Sequence, residues 1–219
     1  VAGVSIWQAS VLLCFAVCFA LPGRSMGVSI IQKDVALGRV PLWRRVALHP
    51  YLGLVWLIWR VRHTLSREDP FNEVAEGVLV GRHVLRLSEF PHAAHHVADL
   101  TAEFDERRLA FAGGRSYYCL PCMDNELPEA QALRTLATRL AGVQGVIFVH
   151  CANGHGRSAS LAACIMLVRG QASTFEEAFD KMRRHRPTVH IHASQMQVLK
   201  ETGLEAAKSA PPSSDRAGE

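Results

Sequence analysis

Residues 145–161 read GVIFVHCANGHGRSASL, and the reading of this stretch decides the fold. Val146, Ile147, Phe148 and Val149 are apolar and largely β-branched, the pattern of a buried strand. Ala159 to Val168 is nearly continuous in apolar residues and predicts a helix. Between them lies a loop from Cys151 to Arg157, in which Gly154 and Gly156 allow the tight backbone angles needed for amides to turn inward. The positive end of the helix dipole points into the same cup. The residues Ala152, Asn153, Gly154, His155, Gly156 and Arg157 therefore suit a phosphate dianion, and Arg157 can offer parallel donors to two of its oxygens. Cys151 is placed at the bottom of this cup. A free thiol titrates at about 8.5, and a helix N-terminus with a guanidinium lowers that value, so a thiolate is expected at neutral pH.

The run HCANGHGRS, His150 to Ser158, resembles the His-Cys-(five residues)-Arg-Ser/Thr signature of the cysteine-dependent protein tyrosine phosphatase superfamily. Its compact surroundings resemble the dual-specificity branch, and the likeness runs from about Asn72 to Leu204. The resemblance implies a phosphomonoester hydrolase working through a phosphocysteine, with Cys151 as nucleophile and Arg157 as the clamp on the equatorial oxygens. Ser158 would donate to the sulfur and help it leave in the second step. His150 is expected to fix the loop by bonding to backbone. The resemblance also implies an Asp on a mobile upstream loop as the acid for the leaving oxygen. Asp124 in PCMDNELP fits, after a strand and four residues before Pro128; Glu126 is the alternative, and a helix cap is the plainer role for Asp124. Asn125 is expected to position that loop, while Arg186-Pro187-Thr188-Val189 and Gln195 support the site. This mechanism calls for no metal and no organic cofactor. A non-catalytic phosphate-binding module would usually lack the Cys, the Arg or the acid, and none is missing. A sulfur-chemistry protein of rhodanese or arsenate-reducing type is the remaining rival.

The charge is uneven along the 219 residues: positions 1–67 carry eight Lys/Arg against one acid, and positions 68–219 carry sixteen against nineteen. No basic stripe with interleaved aromatics marks the larger part, which argues against a nucleic-acid partner. Val4 to Leu21 is uncharged and about long enough to span a bilayer. Val46 to Trp59 is a shorter apolar run containing Pro50, with Trp and Arg at its ends, as in interfacial segments. We therefore expect a membrane-associated segment over 1–67, a catalytic domain over 68–207 facing the cytoplasm, and a disordered tail over 208–219. The six cysteines do not form a disulfide framework. Cys119 and Cys122 lack a second pair at zinc spacing, although either could trap oxidised Cys151.

Along the domain, Val74 to Val84 predicts a hairpin, Pro91 a short helical start, and His96–Leu100 and Ser116–Leu120 strands. His92, His95 and His96 read as surface histidines. Helices are expected from Pro128 to Leu140, from a Ser173 or Thr174 cap to about His185, and from about Ala193 to Ala207. The fold class is thus α/β, a mostly parallel sheet with helices on both faces. The resemblance to the shallow-site dual-specificity branch implies phosphorylated proteins as substrates, and with Arg157 the one fixed cation in the loop, a singly phosphorylated phospholipid such as phosphatidylglycerophosphate comes second.

Overall fold

The computed structural model describes residue 8 and residues 24–205; the expected membrane helix over 4–21 and the tail over 208–219 otherwise lie outside the described residues. Five strands, β1 (Phe71–Ala75), β2 (Val78–Arg82), β3 (Ala94–Thr101), β4 (Ser116–Cys122) and β5 (Val146–Cys151), form one sheet in the order β1-β2-β5-β3-β4. β1 and β2 are the expected hairpin, with Gly77 at φ 68° in its turn, and every other pairing is parallel. β5 is therefore central, which is why its apolar run has no polar side: Ile147 and Val149 enter one core layer and Phe148 the other.

Four helices close the first layer: α4 (Ala130–Ala141), α5 (Arg157–Val168), α6 (Phe175–His185) and α7 (Ala193–Glu201). Leu133, Leu161, Ile165, Phe179 and Leu199 bring them together with Val80, Ile147 and Val149. Helices cover the second face only in part, where Trp59 of the helix His49–Leu65 packs on His83. The second layer joins Leu79, Val97 and Phe148 to Phe90 and Ala110, which belong to connections holding only the single 3-10 turns Leu87–Glu89 and Arg108–Phe111. The β3–β4 connection is polar and ends in Gly113-Gly114, so it cannot sustain an amphipathic helix. Pro91 likewise starts no helix; β3 begins three residues later and carries His95 and His96, the first of which accepts from the Val146 amide at 3.2 Å. At α6 the Thr174 hydroxyl accepts from the Glu177 amide at 3.1 Å, while the Ser173 amide donates back to the Glu177 carboxylate at 2.7 Å. The last helix stops at Glu201, short of the expected Ala207, with Gly203 at φ 67° just beyond it.

Three helices precede the sheet: α1 (Arg24–Ile31), α2 (Leu42–Ala47) and α3 (His49–Leu65). Pro50 falls in the first turn of α3, where its missing N–H costs nothing, so it opens this helix rather than interrupting an apolar segment. At 17 residues α3 is about 26 Å long, short of the ~30 Å hydrocarbon core. No helix among the described residues is long and apolar enough to cross a membrane. The run 46–59 instead gives Trp59 to a small core with Phe104 and Ala152.

Residues before 68 are bound into the sheet at several points. Lys33 is buried and reaches Asp99 Oδ2 at 2.5 Å, Thr101 O at 2.9 Å and Thr101 Oγ1 at 3.1 Å. Burial pushes the Lys33 ammonium down, but Asp99 outweighs it and leaves the value raised. Burial alone would raise the Asp99 carboxyl; Lys33 and His150 hold it far below the usual range. Ile31 and Val40 pack with Ala102 beside this pair. Lys33→Met leaves Asp99 buried without its ammonium, and a loss of about 3–5 kcal/mol is expected in denaturant unfolding. Adding Asp99→Asn should recover part of it. A loss under about 1 kcal/mol for the single variant would show that the pair does not hold the front of the chain to the sheet.

Candidate active site

Cys151 ends β5 and is buried. The Gly154 amide donates to its sulfur at 3.2 Å, and the Ser158 hydroxyl lies 3.4 Å away. Burial alone would push the thiol up; Arg157, the Ser158 hydroxyl and the amides of Ser158 and Gly154 outweigh it, so the thiol lies below its ordinary value. Gly154 is required twice: its φ is 77°, and a Cβ there would stand 2.5 Å from the Gly81 backbone. Gly156 caps α5 without a side-chain acceptor, so the helix offers its first amides to the cup.

Arg157 opens α5 and is buried, with Nη2 at 2.8 Å from Glu103 Oε1 and Nη1 at 3.1 Å from Glu103 Oε2. Nη1 also donates to Cys122 O at 2.8 Å, and Nη2 to Asp124 Oδ1 at 3.1 Å. Burial opposes the charge, but Glu103 and the Cys151 sulfur raise the guanidinium well above its usual value. Glu103 was not legible in the sequence. It stands in TAEFDE among three acids, and nothing local separates it from Asp105 or Glu106. Asp124 follows β4, touches Arg157 and leaves 56% of its side chain exposed, a carboxylate that reaches both the clamp and solvent. Asn125 next to it holds φ 61°, a left-handed conformation that Asn tolerates better than most residues, and so turns the loop back toward α4. Glu126 lies in the same turn, its amide bonded to Met123 O.

His150, at the end of β5, departs from expectation. His150 does not brace the loop through backbone: its Nε2 lies 2.8 Å from Glu106 Oε2 and 4.0 Å from Asp99 Oδ1. Burial lowers the His150 imidazole, and Glu106 and Asp99 outweigh it, leaving its value raised. The ligand atoms of His83, Glu106 and His150 all lie within 4.8 Å of one another, a donor set that zinc accepts, although here His150 and Glu106 neutralise each other directly. His155 lies 2.8 Å from Glu68, yet its value is lowered, because burial exceeds the pull of that carboxylate. Arg186 acts as a brace: it is buried and donates to Gly154 O at 2.9 Å, Asn153 O at 3.2 Å and Asn72 Oδ1 at 2.8 Å. Gln195 is buried close to Gly156 and accepts from the His192 amide at 3.2 Å.

The largest departure is α3. Trp59 Nε1 donates to Ala152 O at 2.9 Å, so the helix grips the first residue of the phosphate loop. Beside it runs a cleft of about 330 Å³, with Val55, Ile58 and Arg62 of α3 on one wall and Phe104, Asp124 and Asn153 opposite. A smaller hollow of about 240 Å³ continues past Arg62 to Arg82 and His155. Arg157 is therefore not the one fixed cation near the loop.

Cys119 and Cys122 are free and have different surroundings. Burial and Asp99 push the Cys119 thiol up to about 12, and burial pushes Cys122 higher still. Both are protonated at neutral pH, which makes them poor attackers of an oxidised Cys151.

The fold is that of the cysteine-dependent phosphatases of the dual-specificity kind. Among solved structures, PTPMT1 in complex with PI(5)P is 23% identical at a TM-score of 0.52, covering 65% of this chain and 100% of the other. The human tyrosine phosphatase-like serine/threonine/tyrosine-interacting protein is 19% identical at 0.55, with the same coverage. A mutant form of Tk-PTP reaches 25% identity at 0.53, again with 65% and 100% covered. No protein-family model and no curated protein matches the sequence.

The thiolate can be titrated directly. Iodoacetamide alkylation of Cys151 should reach half its plateau rate below pH ~8.5, the free-cysteine value, since the reactive form dominates above its own pKa. Ser158→Ala, which removes one donor to the sulfur, should move that midpoint upward. A midpoint above pH ~9 in the unaltered protein would mean that burial wins.

Proposed function

We propose that this protein hydrolyses phosphomonoesters through a phosphocysteine. The observation that carries the proposal is a buried sulfur with a lowered pKa set beside a buried Arg157, which itself touches the half-exposed Asp124. The Cys151 thiolate attacks phosphorus, and the phosphorus–oxygen bond to the leaving group breaks as Asp124 gives that oxygen a proton. Arg157 and the loop amides hold the equatorial oxygens through the in-line transfer. In the second step the Asp124 carboxylate takes a proton from water, the hydroxide oxygen attacks phosphorus, and Cys151 leaves as thiolate beside the Ser158 hydroxyl. Glu103 positions the guanidinium plane without touching substrate.

For the substrate, the neighbouring cations and apolar wall favour a phosphomonoester on an amphipathic molecule. Arg62 offers a second cation, and Val55 and Ile58 line the approach to the loop, as a phospholipid headgroup with its glycerol backbone would use them. Phosphorylated tyrosine, serine and threonine side chains are the second reading, supported by a likeness to a mouse putative dual specificity phosphatase, 17% identical at a TM-score of 0.54.

Cys151→Ser should abolish turnover of aryl phosphates while the protein stays folded, and Arg157→Lys should be severely impaired because a point charge cannot replace the fork. Asp124→Asn should slow phenyl phosphate far more than an activated ester whose leaving group needs no proton. An equal loss on both esters would remove Asp124 from the acid role, and Cys151→Ser turnover within about tenfold of the original would remove the phosphocysteine.

A further inference from the structure

Helix α3 is apolar on two sides. Its inner stripe, Leu52, Val55 and Trp59, packs on the domain. Its outer stripe is Leu54, Leu57, Ile58, Val61 and Leu65, at i, i+3, i+4, i+7 and i+11, and each of these side chains is more than a third exposed. Of the thirteen large apolar side chains exposed among the described residues, eleven lie between positions 35 and 65. A patch so concentrated marks an interaction surface. Its charges point to the partner. α3 contains no acid, Arg60 and Arg62 flank the outer stripe on opposite sides, and Asp34 is the sole acid among the first 67 residues. Long cationic side chains bordering an apolar helical face fit the boundary between headgroups and acyl chains. The same chain places the uncharged stretch 4–21 upstream of this helix. Ile58 belongs to both the stripe and the active-site cleft, so a surface that receives the stripe lies at the mouth of the cleft.

We propose that the outer stripe of α3 docks on an anionic bilayer surface and so presents the cleft to phosphomonoesters held there. Docking deepens the phosphomonoesterase reading and rests on it for the site's activity alone. Each Arg near an anionic surface and each apolar side chain that enters the interface strengthens the docking. The active site then works at the substrate's own two-dimensional concentration.

The test uses the full chain and hydroxyl-radical footprinting read at Leu57 and Val61. Oxidation of both should fall when phosphatidylcholine vesicles containing phosphatidylglycerol are added, and should not fall with phosphatidylcholine alone. Vesicle flotation of the protein with no protection at these residues would show that another part of the chain binds lipid, and would overturn the proposal. Low oxidation before any vesicle is added would overturn it too, because segment 4–21 or a second copy would then already cover the face. Leu57→Glu/Val61→Glu should cut phosphate release from a vesicle-borne phosphatidylinositol monophosphate by about tenfold or more. Its hydrolysis of soluble p-nitrophenyl phosphate should stay within about twofold. Equal losses on the two substrates would assign the stripe a folding role and sink the idea. Absence of p-nitrophenyl phosphate turnover in the unaltered chain would refute the phosphatase reading instead, and leaves the footprint as an independent result.

Discussion

A guanidinium that can be neither exposed nor deprotonated is the constraint around which the site is built. Arg157 is 1% exposed, and an unpaired charge at that depth costs several kcal/mol. It is compensated by groups from three different loops: Glu103 after β3, Asp124 and the Cys122 carbonyl at the end of β4, and the Cys151 sulfur at the end of β5. Those loops meet because β4, β3 and β5 are adjacent and parallel, which brings their C-terminal ends to one edge. An antiparallel partner in either place would send one of the loops to the far side of the sheet. The parallel topology is thus required by the electrostatics of one side chain.

Beneath the loop the charges continue in alternation. Lys33 meets Asp99, Asp99 approaches His150, and His150 meets Glu106, all of them buried. For each member, neighbours of opposite sign favour the charged form against the pull of burial, so removing one weakens the compensation of the next. The chain joins Lys33, just after α1, to the residue immediately before Cys151. Residues ahead of position 68 therefore contribute to the base of the phosphate loop, and their separation as an appendage describes composition better than packing.

What the sequence made legible was local. The strand, the glycines, the Cys and the Arg of residues 145–161 stand next to one another, so spacing alone carries their geometry. The Thr174 cap and the hairpin at Gly77 were readable for the same reason. Glu103, Trp59 and Lys33 were not, since each acts on a residue more than fifty positions away and none sits in a pattern that distinguishes it from a neighbour of the same type. His150 was misread for a related reason: the adjacent backbone was in view, and the Glu106 carboxylate 44 positions earlier was not.

The run Val46 to Trp59 hid its two faces for a different reason. Hydropathy adds the residues of a segment without regard to direction, and α3 carries apolar residues in two directions. The stripe through Leu52, Val55 and Trp59 is satisfied by the domain, which alone would make an ordinary surface helix with a polar outer face. The outer face is apolar instead, and a soluble environment supplies no reason to keep Leu54, Leu57, Val61 and Leu65 there. A transmembrane helix would be apolar all round and would not commit an indole N–H to the Ala152 carbonyl. A helix fixed to the catalytic loop on one side and apolar on the other can couple that loop to whatever meets the second side, because displacement of Trp59 is felt at the residue next to Cys151.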